Sequence, residues 1–249
     1  MIKLLKKIFA LFISFFLLGI VFVFLILLYF ANDLPNYKIL EKYQPPISSR
    51  VHAGDGQLIA EYALQKRLFI PYDSIPNNVI HSFLSAEDKN FFKHPGIDAK
   101  GVLRAALKNV RNLMNTRRLE GASTITQQVA KNFLLTNEIS YTRKIKEAIL
   151  AFRIERAFSK ERIMELYLNQ IYLGHGTYGI AAASLEYFDK AVNELNYQEA
   201  ALLAALPKAP SKYDPYKSIN LATKRRNLVI KNLLDNSYIS EDTYQNLID

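Results

Sequence analysis

The hydrophobic pattern of the chain begins with one long uncharged stretch. From Ile8 to Asn32 there is no charged residue, and Phe, Leu, Ile and Val dominate. A helix from Ile8 to Phe30 would extend ~34 Å at about 1.5 Å per residue, enough to cross a bilayer core of ~30 Å. Because the apolar region of a cleaved signal peptide is shorter, this stretch predicts an uncleaved transmembrane anchor over residues 8–32, after a tail of residues 1–7.

The pattern then becomes irregular and afterwards β-like. Residues 33–48 contain several prolines and are predicted to form a linker. Residues 49–72 hold short strand-type runs, and Asp55-Gly56 is a pair typical of hairpin turns, with further strand residues expected at 68–70. We expect a small β element here, near the membrane and without catalytic residues.

From residue 73 to 236 apolar residues recur at helical spacing, which predicts a mainly α domain. Its first helix should have Pro76 in the first turn and end at Pro95-Gly96, and Asp98 should cap the second. The second helix should bury its apolar positions, which are Val102, Leu103, Ala106, Leu107, Val110 and Leu113. Later helices are predicted over residues 143–158, 160–170, 181–188, 197–206 and 219–236, and 237–249 should begin a following segment.

Two connections in this domain have their own composition. Residues 115–120 are polar and basic, and they predict a mobile surface loop. Residues 171–179 are aromatic and interrupted by glycines, which indicates a close approach of the backbone to another group, such as a ligand.

Charge and composition limit the possible partners. The chain has 249 residues, a net charge of +9 and no cysteine, so disulfides and cysteine-ligated metal sites are excluded. Lys3, Lys6 and Lys7 precede the apolar span and Asp33 follows it, which predicts a cytoplasmic N-terminus and a body on the outer side of the membrane. A basic chain also suggests nucleic-acid binding, but the outward topology argues against nucleic acid as a partner.

The first candidate for chemistry is the adjacent acid pair Glu87 and Asp88, which precedes Phe91 and Phe92. A helix dipole disfavours a carboxylate at the helix C-terminus, and aromatic neighbours would bury it. The pKa of Glu87 should therefore rise toward the range useful to a general base. Asp88 points in another direction along the helix and is expected to bond backbone or a cation. The same stretch also fits a solvated acid pair beside core aromatics.

Two later segments carry groups that bind anions. Thr124 and Gln127 have the spacing of a capping box, so this helix start suits either an ordinary cap or a phosphate. Arg143, Lys144 and Glu147 share one face of the next helix, which suits either a surface ion pair or a diphosphate clamp beside an acid.

Taken together, these motifs resemble the peptidoglycan glycosyltransferase family, the domain of class A penicillin-binding proteins and monofunctional transglycosylases. The resemblance extends from about Leu58 to the C-terminus. The family's motifs occur in order: Glu-Asp-x-x-Phe-x-x-His-x-Gly at 87–96, Gly-x-Ser-Thr-Ile-Thr-Gln-Gln at 121–128, Arg-Lys-x-x-Glu at 143–147, Glu-x-Tyr-Leu-Asn at 165–169 and Tyr-x-Gly at 172–174.

The resemblance implies a lysozyme-like, helical, two-lobed fold and an inverting polymerisation of lipid II at the bacterial cytoplasmic membrane. It implies Glu87 as the general base on the acceptor's sugar hydroxyl. Glu147 would be a second catalytic residue beside the donor's diphosphate, with a divalent cation such as Mg2+ as its one candidate cofactor. The implied substrate-binding residues are Asp88, Phe91, His94, Ser123, Thr124, Gln127, Gln128, Lys131, Arg143, Lys144, Asn169 and Tyr172. The implied partners are lipid II, the nascent glycan chain, the lipid bilayer and cell-wall synthesis proteins.

Two other functions fit parts of this pattern. A lysozyme-like lytic enzyme would also use one glutamate but needs no diphosphate clamp, so Lys131, Arg143 and Lys144 argue against it. An inactive glycan-binding scaffold would not need Glu87 and Glu147. Residues 199–210 are closer to the bifunctional penicillin-binding proteins, yet no Ser-x-x-Lys pair for transpeptidation occurs, so we expect a fragment of a class A protein.

Overall fold

The N-terminal apolar stretch forms one long helix, α1 (Ile2–Ala31). This fold is given by a computed structural model that describes residues 2–43, 49–55, 58–62, 66–114, 121–136, 138 and 140–248. Within these residues, Phe9–Ala31 is the one stretch long and apolar enough to cross a membrane, with a mean hydropathy of 3.2 and no burial against the body. Length and composition thus agree with the predicted anchor.

The small β element is present, although it is shorter than predicted. Strands β1 (Ser49–His52) and β2 (Leu58–Tyr62) pair antiparallel as a hairpin, and the Gly56 of the predicted turn lies outside the described residues. The prediction of a strand at 68–70 is wrong. Strand β3 (Lys66–Arg67) ends before it, because the backbone N–H and C=O of Ile70 bond to the side chain of Asn169 instead of a strand.

The rest of the described chain is mainly helical, which confirms the predicted fold class. The helices are α2 (Asn77–Glu87), α3 (Ala99–Met114), α4 (Ile125–Leu134), α5 (Tyr141–Ala157), α6 (Lys160–Gln170), α7 (Ile180–Phe188), α8 (Tyr197–Ala205), α9 (Ile219–Asp235) and α10 (Glu241–Ile248). Asp98 accepts from the N–H of Gly101 at the start of α3, which confirms the predicted cap, and Ser159 accepts from the N–H of Arg162 at the start of α6.

The helices pack in two groups. Helices α2, α8 and α9 pack together, and α4 packs against α5 and α6. Their apolar faces form one core, in which Val79, Phe83, Ile125, Leu150 and Val229 are fully buried. This burial supplies the main stabilisation of the fold, at about 25 cal/mol per Å² of apolar surface.

The first predicted helix boundary is wrong by several residues. Helix α2 ends at Glu87 because Asp88 leaves the helical conformation, with φ −156° and ψ 77°. Pro95-Gly96 lies beyond a short turn of 3₁₀-helix, and Pro76 precedes the first turn of α2 instead of lying in it. Gly96 has φ +101°, and a Cβ there would lie 2.8 Å from the carbonyl oxygen of Ala151. Glycine is needed at position 96 because the loop that contains it touches helix α5.

The predicted orientation of α3 is also wrong. Val102, Leu103, Leu107 and Val110 are 44–67% exposed, whereas Gly101 and Ala105 face inward. The small residues let α3 lie close to the body, and the large apolar residues therefore face outward. The loop predicted at 115–120 lies outside the described residues.

The glycine-interrupted segment forms a tight hairpin of β4 (Tyr172–Gly174) and β5 (Thr177–Tyr178), to which β3 adds a third strand in the order β3-β5-β4. Gly174 has φ +96°, and a Cβ there would lie 2.6 Å from the hydroxyl of Tyr187. At Gly174 the predicted close approach of the backbone is therefore to the protein's own side chain.

Candidate active site

A cleft of about 800 Å³ lies where the end of α2 meets α3, α4, α5 and α9. Eight lysine and arginine side chains line it against five carboxylates, so the cleft suits an anionic ligand. Of the predicted site residues, the cleft contains Glu87, Asp88, Ser123, Thr124, Gln127, Gln128, Lys131, Arg143, Lys144 and Glu147. The structure therefore brings together residues from three separate motifs and Lys131.

Glu87 is the last residue of α2 and lies partly buried in the cleft. Its Oε2 accepts a hydrogen bond of 2.7 Å from Nε2 of Gln128 on α4. Burial raises the pKa of Glu87, although the Gln128 hydrogen bond and the positive charges of Arg225 and Lys208 lower it in part. The predicted direction is confirmed. The predicted cause of the raised pKa, burial by aromatic neighbours, is only partly right, because Phe92 is 48% exposed.

Asp88 has a structural position, as predicted. Its carboxylate contacts Nε2 of His94 at 3.0 Å and accepts from the backbone N–H of Ile125 at 3.0 Å. The other ring nitrogen of His94 accepts from the N–H of Gly96, which fixes the tautomer so that Nε2 carries the proton toward Asp88. Asp88 therefore links the end of α2 to the start of α4, and this link sets the position of Glu87 relative to Gln128.

The start of α4 is a closed capping box. The hydroxyl of Thr124 accepts from the N–H of Gln127, and the side chain of Gln127 accepts from the N–H of Thr124. With the N–H of Ile125 bonded to Asp88, the helix start is already satisfied by the protein's own oxygens. Of the two interpretations of this helix start, the ordinary cap is therefore the one that the hydrogen bonds support.

The charge cluster on α5 is built around a buried carboxylate and is therefore more than a surface ion pair, although 49% of the Lys144 side chain is exposed. Glu147 is 1% exposed, and its Oε2 lies 2.5 Å from Nζ of Lys144, which also donates to the hydroxyl of Ser123 at 2.7 Å. Nε of Arg143 lies 3.5 Å from Oε1 of Glu147, too far for a good hydrogen bond, and neither atom has another partner among the described residues. Glu147 thus holds two cations at the edge of the cleft.

Three further cations of the cleft are Lys131, Lys208 and Arg225. Lys131 on α4 was predicted, and it makes no ion pair or hydrogen bond within the described part of the chain. Lys208 and Arg225 also line the cleft, and both lower the pKa of Glu87. Sequence reasoning gave these two no role, because Lys208 sits between prolines after α8 and Arg225 is one of several basic residues on α9. Only the packing of α8 and α9 against α2 brings them near Glu87.

Four predicted substrate-binding residues do not line this cleft. Phe91 is fully buried in the core, and His94 is buried behind Asp88. Asn169 bonds to the backbone of Ile70 and is buried, while Tyr172 packs against Tyr178 in the β4–β5 hairpin. Phe91, His94 and Asn169 are buried and therefore support the site without lining the cleft, whereas Tyr172 is 39% exposed and lies outside the cleft lining.

Comparison with known proteins agrees with these motifs. A protein-family model described as Transglycosylase matches residues 55–234. This match covers most of the chain. It includes all cleft-lining residues up to and including Leu228 and Asn232.

The chain is also similar to proteins named Penicillin-binding protein 1A. It is 50% identical over 234 residues to the protein of Rickettsia bellii, covering 94% of this chain and 30% of that protein. It is 50% identical over 226 residues to the protein of Aquifex aeolicus, covering 91% of this chain and 30% of that one, and 43% identical to that of Pseudomonas aeruginosa, covering 88% and 26%. The chain thus spans less than a third of the length of these relatives.

Among solved structures, the crystal structure of Penicillin-binding protein 1A from Haemophilus influenzae aligns with a TM-score of 0.47 and 26% identity. That alignment covers 83% of this chain and 21% of the solved one.

Proposed function

Because the chain belongs to the transglycosylase family, we propose that it is a membrane-anchored peptidoglycan glycosyltransferase that polymerises lipid II into glycan strands. One observation carries this proposal: a single partly buried glutamate, Glu87, lies in the same cleft as the cations of Lys131, Arg143 and Lys144. Displacement of a diphosphate by a sugar hydroxyl requires a base and an anion-binding cluster.

Glu87 acts as the general base. It takes the proton of the acceptor's sugar hydroxyl while that oxygen attacks the anomeric carbon of the donor, on the face opposite the leaving group. The raised pKa supports this role, because a more basic carboxylate accepts the proton more readily. The hydrogen bond from Gln128 fixes the direction in which the carboxylate points.

The cations stabilise the leaving group. As the bond between the anomeric carbon and the diphosphate oxygen breaks, negative charge grows on the polyprenyl diphosphate, and cations within reach stabilise it by charge-assisted hydrogen bonds. Lys131 is available because it has no partner within the described chain. Glu147 acts through its partners, since it holds Lys144 and Arg143 at the edge of the cleft.

The residues present do not form a resident metal site. Glu147 is the one carboxylate in the α5 cluster, and Lys144 and Arg143 already balance its charge. Within the described residues, no group of three or more His, Cys, Asp or Glu side chains is placed to hold a metal ion. A divalent cation such as Mg2+ is usually held by one or two carboxylates together with phosphate oxygens of the substrate, so a cation at Glu147 would take its other ligands from the donor's diphosphate, and no step of the mechanism above requires it.

The membrane context supports the proposal. Helix α1 would anchor the chain in the bacterial cytoplasmic membrane with the cleft on the outer side, beside a lipid-linked substrate that stays in the bilayer. Contacts of α1 with α5 hold the anchor to the helix that carries Arg143 and Glu147: Nζ of Lys146 lies 2.6 Å from Asp33, and Arg153 donates to the carbonyl of Ala31. Cell-wall synthesis proteins remain proposed partners.

The direct test is to incubate the detergent-solubilised full chain with lipid II and to analyse the products. The proposal predicts lipid-linked glycan strands and released polyprenyl diphosphate. A parallel incubation with preformed, lipid-free glycan tests the alternative of a lytic enzyme and should give no cleaved fragments. Cleavage of that glycan without consumption of lipid II would replace the proposal by the lytic function.

A further inference from the structure

The end of α2 is capped by side chains from another helix. Helix α2 ends with the hydrogen bond from the N–H of Asp88 to the carbonyl of Leu84. The next carbonyl, that of Ser85, accepts from Nδ2 of Asn232 on α9 at 3.0 Å, and the hydroxyl of the buried Ser85 accepts from Nδ2 of Asn236 at 3.1 Å. Since the last carbonyls of a helix need partners from elsewhere, α9 completes the last turn of α2.

This contact between α2 and α9 lies in the cleft. Ser85 is two residues before Glu87, and both line the cleft together with Asn232 and Asn236. Arg225, whose charge lowers the pKa of Glu87, also lines the cleft and lies two turns before Asn232 on the same face of α9. The hydrogen bonds from α9 therefore fix the last turn of α2 and also the distance between Glu87 and this cation.

The amide groups suit the charge at this contact. The C-terminal ends of α2 and α9 are both negative poles of helix dipoles, and Glu87 adds its carboxylate at the end of α2. Asn232 and Asn236 bring donors to these oxygens without adding a further charge. An apolar side chain at position 232 would leave the carbonyl of Ser85 without this donor, next to the base.

We propose that Asn232 is a positioning residue: by capping the last turn of α2, it holds Glu87 where it can take the proton of the acceptor. This inference rests on the proposed function, since it assigns Asn232 to the same base. Gln128 on α4 holds the carboxylate of Glu87, and Asn232 on α9 holds the backbone just before it, so the base is fixed from two sides. Proton transfer requires hydrogen-bond distance, so a small displacement of the base lowers the rate.

The test is Asn232→Leu in the full chain, because leucine has nearly the shape of asparagine but no N–H to donate. We expect kcat on lipid II to fall by at least ~5-fold while KM changes by less than ~2-fold, since the substitution displaces the base and not the cations of α4 and α5. In the Glu87→Gln background there is no base to position, so there Asn232→Leu should lower the residual rate by less than ~2-fold.

Asn78→Leu is the matched control. Asn78 is also half-buried, and its Nδ2 donates to the carbonyl of Leu195 at 2.6 Å, but it lies at the opposite end of α2 from Glu87. Each of the two variants loses one hydrogen bond from an asparagine amide to a backbone carbonyl, so their melting temperatures should fall by similar amounts. Only Asn232→Leu should lower kcat.

Three results would overturn the inference. They are a folded Asn232→Leu chain with kcat close to wild type, an equal loss of kcat in Asn78→Leu, and a full-sized loss in the Glu87→Gln background. If Asn232→Leu does not fold, Ser85→Ala decides, because it removes only the hydroxyl bonded to Asn236: kcat should fall about 2-fold at unchanged KM, and an unchanged kcat would overturn the inference. A wild-type chain that is inactive on lipid II would instead overturn the proposed function.

Discussion

At the scale of residues, the charged side chains of the site differ in whether they have an ion-pair partner. Glu147 is buried and paired with Lys144 and Arg143, whereas Lys131 is half-buried and makes no ion pair with the described residues. Removing one member of a buried ion pair typically costs about 3–5 kcal/mol of stability, because the remaining charge is left uncompensated. The same substitution at an unpaired cation has no such consequence.

Lys131→Ala and Arg143→Ala should therefore differ. Each should weaken binding of a diphosphate-bearing substrate by up to ~3 kcal/mol, the value of a charge-assisted contact. Only Arg143→Ala should also lower the melting temperature, since it leaves Glu147 with one cation. Binding is measured with lipid II and with lipid-free glycan, and stability by thermal melting.

The control for this pair is Lys224→Ala, which removes an exposed cation of α9 that does not line the cleft. It should change neither binding nor stability. Equal losses for lipid II and for lipid-free glycan would mean that Lys131 and Arg143 hold the sugar or the fold and not the diphosphate.

Much of this residue-level picture was predictable from local sequence. The acid pair at Glu87, the capping box at Thr124 and the charge spacing on α5 are all short-range patterns. The contact between Asp88 and the N–H of Ile125 was not, because it joins residues 37 positions apart through packing of α2 and α4. For the same reason the local sequence left the α4 helix start open between a cap and a phosphate site: the carboxylate that bonds to the N–H of Ile125 is Asp88, at the end of α2.

At the scale of elements, α3 shows where helical periodicity misleads. The spacing of its apolar residues identified a helix with one apolar face, but spacing does not say what that face contacts. In the structure Leu103 and Leu107 are 63% and 67% exposed, and they share a surface concavity with Lys100 and Arg104. An exposed apolar face bordered by cations is typical of a helix that lies on an anionic bilayer.

We therefore expect α3 to touch the lipid bilayer. The chain has no cysteine, so Leu107→Cys introduces a single site for a fluorescent label. In proteoliposomes of anionic lipid, quenchers attached to the acyl chains should quench the label at position 107. A label at Leu185→Cys, an exposed leucine of α7, is the matched control and should be quenched much less. Equal quenching at both positions would contradict membrane contact by α3.

At the scale of the whole molecule, the anchor and the body are joined at the base of the cleft. The stretch predicted to be the anchor forms helix α1, a candidate membrane span, and the chain at its end contacts α5 through Asp33 and Ala31. The sequence indicated the span from its length, and the lysines before it indicated its orientation. The contacts to Lys146 and Arg153 were beyond sequence reasoning, since i,i+4 patterns carry no information about residues more than a hundred positions away.

The topology has a direct test. Lys3, Lys6 and Lys7 before the apolar span predict one crossing with the body outside the cytoplasm. A C-terminal reporter that is active only in the cytoplasm should therefore stay dark in cells. Replacing these lysines by glutamate should make a fraction of the molecules bright. A bright reporter on the unchanged chain would refute the proposed localisation.

The measurement that tests the central claim most directly is the chain-elongation rate of Glu87→Gln at saturating lipid II. Glutamine keeps the shape of the side chain and the contact with Gln128 but cannot take a proton. We predict that the rate falls by at least ~10²-fold, the low end of the contribution of a general base, while the variant melts as a folded protein and still binds lipid II. A folded, lipid II-binding Glu87→Gln chain that elongates at close to the wild-type rate would contradict the assignment of Glu87 as the base.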